Sequence, residues 1–246
     1  TLPSGGKINI DYESDDDAYV QDKPAMEMFN VVGVSDSSTF STNATLWNGA
    51  DWSDKNLYLF FPLKQPTNNI SAFRWDYFHN IDHDLFGRGM YFKFKVKIGN
   101  ASTDYEYIPG YAEIDDVGLT NPNNDGLNQH GWVKLKSVNI GDRDFSEDVH
   151  PISKAAWQMG RIHLPRKVWD LQQDPALSLS NVKGIAKTLL QSNFAVQLAQ
   201  TIAGPNRSLA VKGYGKEIDV NRSWIRLLNP TQKKFGGGSR VKRITM

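Results

Sequence analysis

The sequence contains no cysteine, and it also lacks long apolar runs. Without cysteine there can be no disulfide, no thiolate metal site and no cysteine nucleophile. No stretch approaches the roughly 18 consecutive apolar residues that a membrane-spanning helix needs. The opening TLPSGGKINI has neither the charged nor the apolar segment of a signal peptide. We therefore expect neither a membrane span nor a signal peptide.

Motifs that would identify an enzyme are also missing. The serine-hydrolase pattern G-x-S-x-G, the zinc-protease pattern H-E-x-x-H and the dinucleotide-binding pattern G-x-G-x-x-G do not occur. No pair of carboxylates stands in a motif typical of a glycosidase cleft. We expect the chain not to be an enzyme and to need no cofactor, unless calcium binds at the loop described below.

Segments rich in aromatic and β-branched residues dominate the chain up to residue 140, with Asn, Gly, Pro or Asp clusters between them. MYFKFKVKI (90–98) alternates most regularly, with Phe92 and Phe94 on one face and Lys93 on the other. The segment AFRWDYF (72–78) reads as another strand. The pattern predicts an α+β, β-rich fold built on a mainly antiparallel sheet or sandwich.

One helix is predicted, at about 181–203. Apolar residues recur there at steps of three and four, Ser180 can cap the start, and Gly204 followed by proline ends the pattern. Its polar face is made of neutral amides rather than of Glu and Lys, which favours either a contact with a second surface or burial inside its own domain. The amides that we single out as candidate interface residues are Gln191, Gln197 and Gln200.

Three regions follow from these patterns. Residues 1–30 form an acidic, flexible lead-in, residues 31–150 a β-rich acidic region, and residues 151–246 a basic region with the helix and a terminal hairpin. The basic region should pack with the preceding one and continue beyond residue 246. We place the turn of that C-terminal β-hairpin at Gly236–Gly238, because glycine adopts positive φ freely. Since the first residue is not methionine and the last strand reads as unfinished, we expect a fragment of a larger polypeptide.

The net charge of +1 conceals a strong polarity. Residues 1–150 hold 12 Lys and Arg against 23 Asp and Glu, whereas residues 151–246 hold 16 against 4, so the two parts carry −11 and +12. The charges could neutralise each other within one fold, or join the acidic part of one copy to the basic part of the next. A polyanion such as nucleic acid is the partner that we expect least. Arg240, Lys242 and Arg243 are the basic residues proposed for an interface.

Two segments could hold a metal ion. His79 and His83 are four residues apart, as two zinc ligands on a helix would be, although the segment reads as strand or loop. Asn121, Asn123 and Asp125 alternate before a glycine, as oxygen ligands of calcium do, but the bidentate glutamate of such loops is missing. A loop of local hydrogen bonds explains both segments equally well.

Trp47 and Trp52, in the polar segment LWNGADW, could stack on sugar rings, or could fix that loop to the core. Our leading hypothesis is a non-catalytic structural or assembly module from a larger virion or cell-surface complex, which makes an extracellular, cell-surface or virion location the favoured one. Its partners would be other protein subunits or the remainder of its own polypeptide. The alternative is a carbohydrate-binding β-sandwich module whose binding could depend on calcium. A surface that binds a polyanion or nucleic acid is the third hypothesis.

Overall fold

The structure is a computed structural model of the chain. It describes residues 9–17, 19–20, 23–24, 26–49, 54–79, 89–99, 101–120, 129–139, 148–163, 206, 209–210, 213–231 and 234–245. The elements, in chain order, are β1 Asn9–Asp17, β2 Tyr19–Val20, β3 Lys23–Pro24, β4 Met26–Asn30, β5 Gly33–Ser35, β6 Trp47–Asn48, β7 Asp54–Lys55, β8 Tyr58–Pro62, α1 Ile70–Phe78, β9 Gly89–Lys97, β10 Tyr105–Leu119, β11 His130–Leu135, β12 Val138–Asn139, β13 Asp148–Val149, α2 Pro151–His163, β14 Ile218–Leu228 and β15 Lys234–Thr245.

Seven strands form one antiparallel sheet in the order β4-β14-β9-β10-β11-β8-β5. The long strand β10 pairs with β9 through its first part and with β11 through its second part. At the opposite side, β4 and β5 follow each other directly: the Val31 N–H donates to the Ser223 carbonyl of β14, and the Val32 N–H donates to the Phe60 carbonyl of β8. The sheet is therefore curled, and its first and last strands meet in one segment. The predicted β-rich antiparallel class is confirmed.

Strand alternation places the core on the concave side of this sheet. In β9, Phe92, Phe94 and Val96 are fully buried, while Lys93 between them is exposed. An antiparallel strand with one wet face has this period of two, because successive side chains point to opposite faces. The alternation predicted for this segment is confirmed.

Helix α1 fills part of the concave side, and the strand predicted for residues 72–78 is wrong. Asn69 caps the helix through its Oδ1, which accepts the Ala72 N–H at 3.0 Å. Phe73 and Tyr77, four residues apart, lie on the same helix face and pack against Phe61 of β8 with ring centroids 6.2 and 5.6 Å away. Burial of these rings outweighs the β propensity of an aromatic segment.

Helix α2 begins directly after His150 and packs on β10. Proline at its first position is favourable, since that residue needs no intrahelical donor. Ser153 Oγ donates to the Gly215 carbonyl and Trp157 Nε1 donates to the Tyr214 carbonyl, both at 2.6 Å. The helix predicted at about 181–203 lies outside the described residues.

The C-terminal β structure is present, but not as the local hairpin that was predicted. Gly236–Gly238 lie inside β15, which pairs with β1 rather than with β14. Ser14 is opposite Ser239 and Asp16 is opposite Phe235, so the glycines occupy an irregularity in the ladder. Glycine inside a strand commonly marks such a bulge, and here it does not make a turn.

Candidate interaction surfaces

The first candidate surface is a two-stranded ribbon made of β1 and β15, which forms a sheet of its own. The segment of β1, NIDYESDDD, carries only acidic charges, and that of β15, KFGGGSRVKRIT, carries only basic ones. The antiparallel register pairs Asp11 with Arg243, Glu13 with Arg240 and Asp17 with Lys234. Opposite charges directly across a ladder stabilise the pairing. Two segments far apart in the sequence thus have opposite charges at three of their eight paired positions.

The ribbon contains the three basic residues that the sequence analysis proposed for an interface. Arg240 and Arg243 occupy paired positions of the ladder. Lys242 is the extra residue at a bulge, because Asp11 is opposite Arg243 and the next residue of β1, Tyr12, is opposite Val241. Five acidic residues of the N-terminal part and four basic residues of the C-terminal part thus lie on one pair of strands.

The end of the ribbon is open to solvent. Ile10 and Ile244 are directly opposite each other, and they are 44% and 59% exposed. A two-stranded ribbon is marginally stable by itself in water, since each strand pairs along one edge only. The pair of exposed isoleucines adds apolar surface that a second surface could cover.

Acidic residues of the curled sheet, by contrast, have partners on neighbouring strands. Lys134 Nζ lies 2.6 Å from Asp115 Oδ2, and Lys136 Nζ lies 3.0 Å from Glu113 Oε1. Both contacts join β10 to β11. The charges of Glu113 and Asp115 are therefore neutralised within the sheet itself.

A second candidate surface covers the outer side of β9, β10 and β14, and the sequence analysis did not identify it. We call it the tyrosine–lysine face, and it consists of Tyr91, Lys93, Lys95, Tyr107, Tyr111 and Arg226. Lysine Nζ atoms of residues 93 and 95 lie 4.7 and 4.6 Å from the centre of the Tyr107 ring. The alternation of β9 pointed to its wet side, but the residues that complete the face come from two other strands.

Of the two tryptophans proposed for sugar binding, the one that the structure describes is buried. Trp47 is only 4% exposed, and Lys216 Nζ lies 4.9 Å from its ring centre. A sugar ring stacks on an exposed indole, and the buried Trp47 offers no such face in this conformation. Trp52 lies outside the described residues.

Of the proposed metal ligands, the structure describes only His79. His79 is the C-cap of α1, with φ of 50°, and its ring lies 4.3 Å from that of Trp75. His83 and the proposed calcium ligands Asn121, Asn123 and Asp125 lie outside the described residues, as do Gln191, Gln197 and Gln200. Among the residues that the structure describes, no three His, Asp or Glu side chains are grouped as metal ligands would be.

One buried polar side chain lies away from both surfaces. His150 is 1% exposed, its Nδ1 accepts the Ile152 N–H at 3.3 Å, and its Nε2 lies 3.2 Å from the Asn56 carbonyl oxygen. Because Nδ1 accepts, we assign the ring proton to Nε2, which donates to Asn56. Burial lowers the pKa of His150 to about 3. The ring is a neutral structural link between the start of α2 and the segment before β8.

Comparison of the chain with protein-family models, with curated proteins and with solved structures finds no match. In the described part of the chain, neither α1 nor α2 nor any other helical stretch has the length and apolar character to cross a membrane.

Proposed function

We propose that this chain is a non-catalytic assembly module, and that copies join when β1 of one copy pairs with β15 of the next. The observation that carries the proposal is the matched register of the ribbon, in which Asp11 is opposite Arg243 and Glu13 is opposite Arg240. The same backbone pairing can form within a chain or between chains. Exchange of an identical element between copies gives a closed dimer, or an open head-to-tail filament when the contacts do not close.

The position of the ribbon supports exchange. It shares no ladder with the seven-stranded sheet, whose core includes Phe29, Phe61 and Phe94. Opening the ribbon therefore breaks no ladder of that sheet, and the lost backbone hydrogen bonds form again with the partner strand. Charge complementarity fixes the register and disfavours the pairing of two acidic or two basic strands.

The test is sedimentation of the full chain at low and high salt. Exposed charges are screened over a Debye length of about 8 Å at physiological ionic strength and about 3 Å at 1 M, so association should weaken as salt rises. The variant Lys242→Glu/Arg243→Glu should weaken it at low salt, because it places an acidic residue opposite Asp11. A mass that changes with neither salt nor charge reversal would contradict the proposal and leave the charges neutralised within one chain.

The matched control is Lys134→Glu/Lys136→Glu. It makes the same change in net charge on the curled sheet, where both lysines are paired with carboxylates of the same sheet. Association of this variant should equal that of the wild type. An equal loss in both variants would mean that net charge, rather than the ribbon, controls association. The setting in a virion or at a cell surface stays a prediction of the sequence.

A further inference from the structure

The tyrosine–lysine face is a continuous patch across three strands. The register places Tyr111 opposite Tyr91 and Tyr107 opposite Lys95. The β14 register brings Arg226 to Tyr91, because the residue before it, Ile225, is opposite Phe92. Side chains at such paired positions on one face are close enough to contact each other. Residues distant in the sequence therefore share one surface.

The cations of this face are held by aromatic rings rather than by carboxylates. Besides the two lysines over Tyr107, the Arg226 guanidinium carbon lies 4.8 Å from the centre of the Tyr91 ring. Within the described residues, Lys93, Lys95 and Arg226 belong to no ion pair. A cation–π contact orients a cation without neutralising it. The positive charge of the face therefore remains available to an external anion.

The carboxylates of Asp219 and Glu217 lie close to the face but pair with other cations. Asp219 is opposite Lys95 in the ladder, but its Oδ2 lies 3.8 Å from Arg222 Nε, with which it pairs. Glu217 lies at the end of the face and pairs with Lys97 at 2.9 Å. Both carboxylates thus have other cationic partners.

Arg226 also keeps an unused donor. Its Nε is buried and has no hydrogen-bond acceptor among the described residues, while its Nη2 lies 3.4 Å from the Tyr111 hydroxyl. A buried donor without an acceptor is unfavourable, and an anionic oxygen is a strong acceptor for a guanidinium. Because no carboxylate pairs with Arg226 among the described residues, its guanidinium charge is left for an incoming anion, although the buried Nε itself is not the atom that the anion would reach.

The rings add a second requirement for the partner. Tyr111 is 68% exposed, although it is a large aromatic residue, and Tyr107 stacks on Trp224 with ring centroids 6.0 Å apart. The exposed ring of Tyr111 beside unpaired cations matches a ligand with negative charge and a planar π face in every repeating unit. Single-stranded nucleic acid has both, whereas a duplex hides its base faces and an acidic peptide lacks them.

We infer that the tyrosine–lysine face binds single-stranded nucleic acid, with phosphates at Lys93, Lys95 and Arg226 and a base stacked on Tyr111. This inference is independent of the proposed assembly function, because it concerns a different surface and a different ligand. Binding should be largely insensitive to sequence, since every base has a π face.

The first experiment is fluorescence anisotropy of the full chain with a labelled oligothymidylate of about 12 nucleotides, within the range of single-strand site sizes. An abasic oligonucleotide of equal length carries the same phosphates without bases. We expect the oligothymidylate to bind about tenfold more tightly. Equal affinities would overturn the stacking role of Tyr111, and no binding at low salt would overturn the inference as a whole.

Substitutions on the face separate the contribution of base stacking from that of phosphate binding. Tyr111→Ala should remove most of the tenfold preference for bases, whereas Tyr111→Phe should keep it, since the ring is preserved. Lys93→Gln/Lys95→Gln should lower the salt dependence of log affinity by up to about 1.4, or about 0.7 for each phosphate contact. The control Lys134→Gln/Lys136→Gln changes the net charge equally and should leave that slope unchanged. If the control pair has the same effect, the binding is merely electrostatic attraction to the whole chain.

A competition experiment decides between nucleic acid and an acidic protein partner. Polyglutamate with the same number of charges as the oligonucleotide should displace it only weakly, because it offers no planar face. Displacement as effective as that by unlabelled oligothymidylate would overturn the inference in favour of an acidic protein segment.

Discussion

Replacement of His150 should change how the stability of this protein depends on pH. Burial lowers the pKa of His150 to about 3 in the folded state, and the unfolded value is about 6.5. The unfolded chain therefore binds a proton first as the pH falls. The contribution of His150 to the free energy of unfolding is unchanged above pH 6.5 and decreases as the pH falls from 6.5 toward 3. The geometry agrees, since protonation would point a second ring N–H at the Ile152 N–H.

The expected magnitude follows from the two pKa values. Each pH unit between them removes about 1.4 kcal/mol, so acidification from pH 7 to 4.5 should cost about 3 kcal/mol through His150. The variant His150→Gln keeps an amide donor for the Asn56 carbonyl but has no group that titrates in this range. The free energy of unfolding of this variant should be lower than that of the wild type at neutral pH, but it should lack the decrease that His150 causes as the pH falls.

Urea unfolding followed by tryptophan fluorescence, at several pH values between 7 and 4.5, measures this difference. Carboxylates titrate in both proteins, so the comparison isolates the histidine. The stability advantage of the wild type should shrink by about 3 kcal/mol over that range. An advantage that stays constant with pH would refute the reasoning and would mean that the ring is accessible to protons in the folded state.

Two further predictions concern the interior and helix α1. Gly131→Ala should lower the free energy of unfolding by about 1–3 kcal/mol, measured by urea unfolding, because a Cβ there would lie 2.6 Å from the Phe73 ring and 2.9 Å from the Phe61 ring; no loss would show that these rings can move aside. Asn69→Ala should cost about 1 kcal/mol in the same assay, because the Ala72 N–H loses its capping acceptor. Asn69→Ser should keep most of that stability, and an equal loss in both variants would contradict the capping role.

The sequence predicts the strands of the curled sheet well, because burial on one side only leaves an alternation of apolar and polar residues along each strand. β9 is the clearest example, with Phe92 and Phe94 buried and Lys93 exposed. The prediction from the sequence is wrong at residues 72–78. The aromatic residues there favour a strand, but they belong to a capped helix that buries Phe73 and Tyr77. The signal that could have identified α1 was Asn69 followed by Phe73 and Tyr77 at a helical spacing.

The surfaces are harder to predict because they depend on register. Composition alone reveals the charge polarity, but not that Asp11 is opposite Arg243 or that Gly236–Gly238 lie inside a strand. The tyrosine–lysine face combines Tyr107 of β10 with Arg226 of β14, and nothing in the local sequence relates these residues. Only the pairing of both strands with β9 brings them together.

The central claim is that β1 of one copy pairs with β15 of another, and two variants with exchanged charges test it. The first, Asp11→Lys/Glu13→Lys, makes β1 basic at the positions opposite Arg243 and Arg240. The second, Arg240→Glu/Arg243→Glu, makes β15 acidic at the same positions. Alone, each variant places like charges across its ribbon, which is destabilising.

Mixed in equal amounts, the two variants can restore opposite charges, because β1 of the first matches β15 of the second in the native register. Sedimentation of the mixture should therefore reveal a complex containing both variants, stronger at low salt, that neither forms alone. A mixture that sediments as the sum of its two separate components would contradict the claim and would restrict the ribbon to pairing within a single chain.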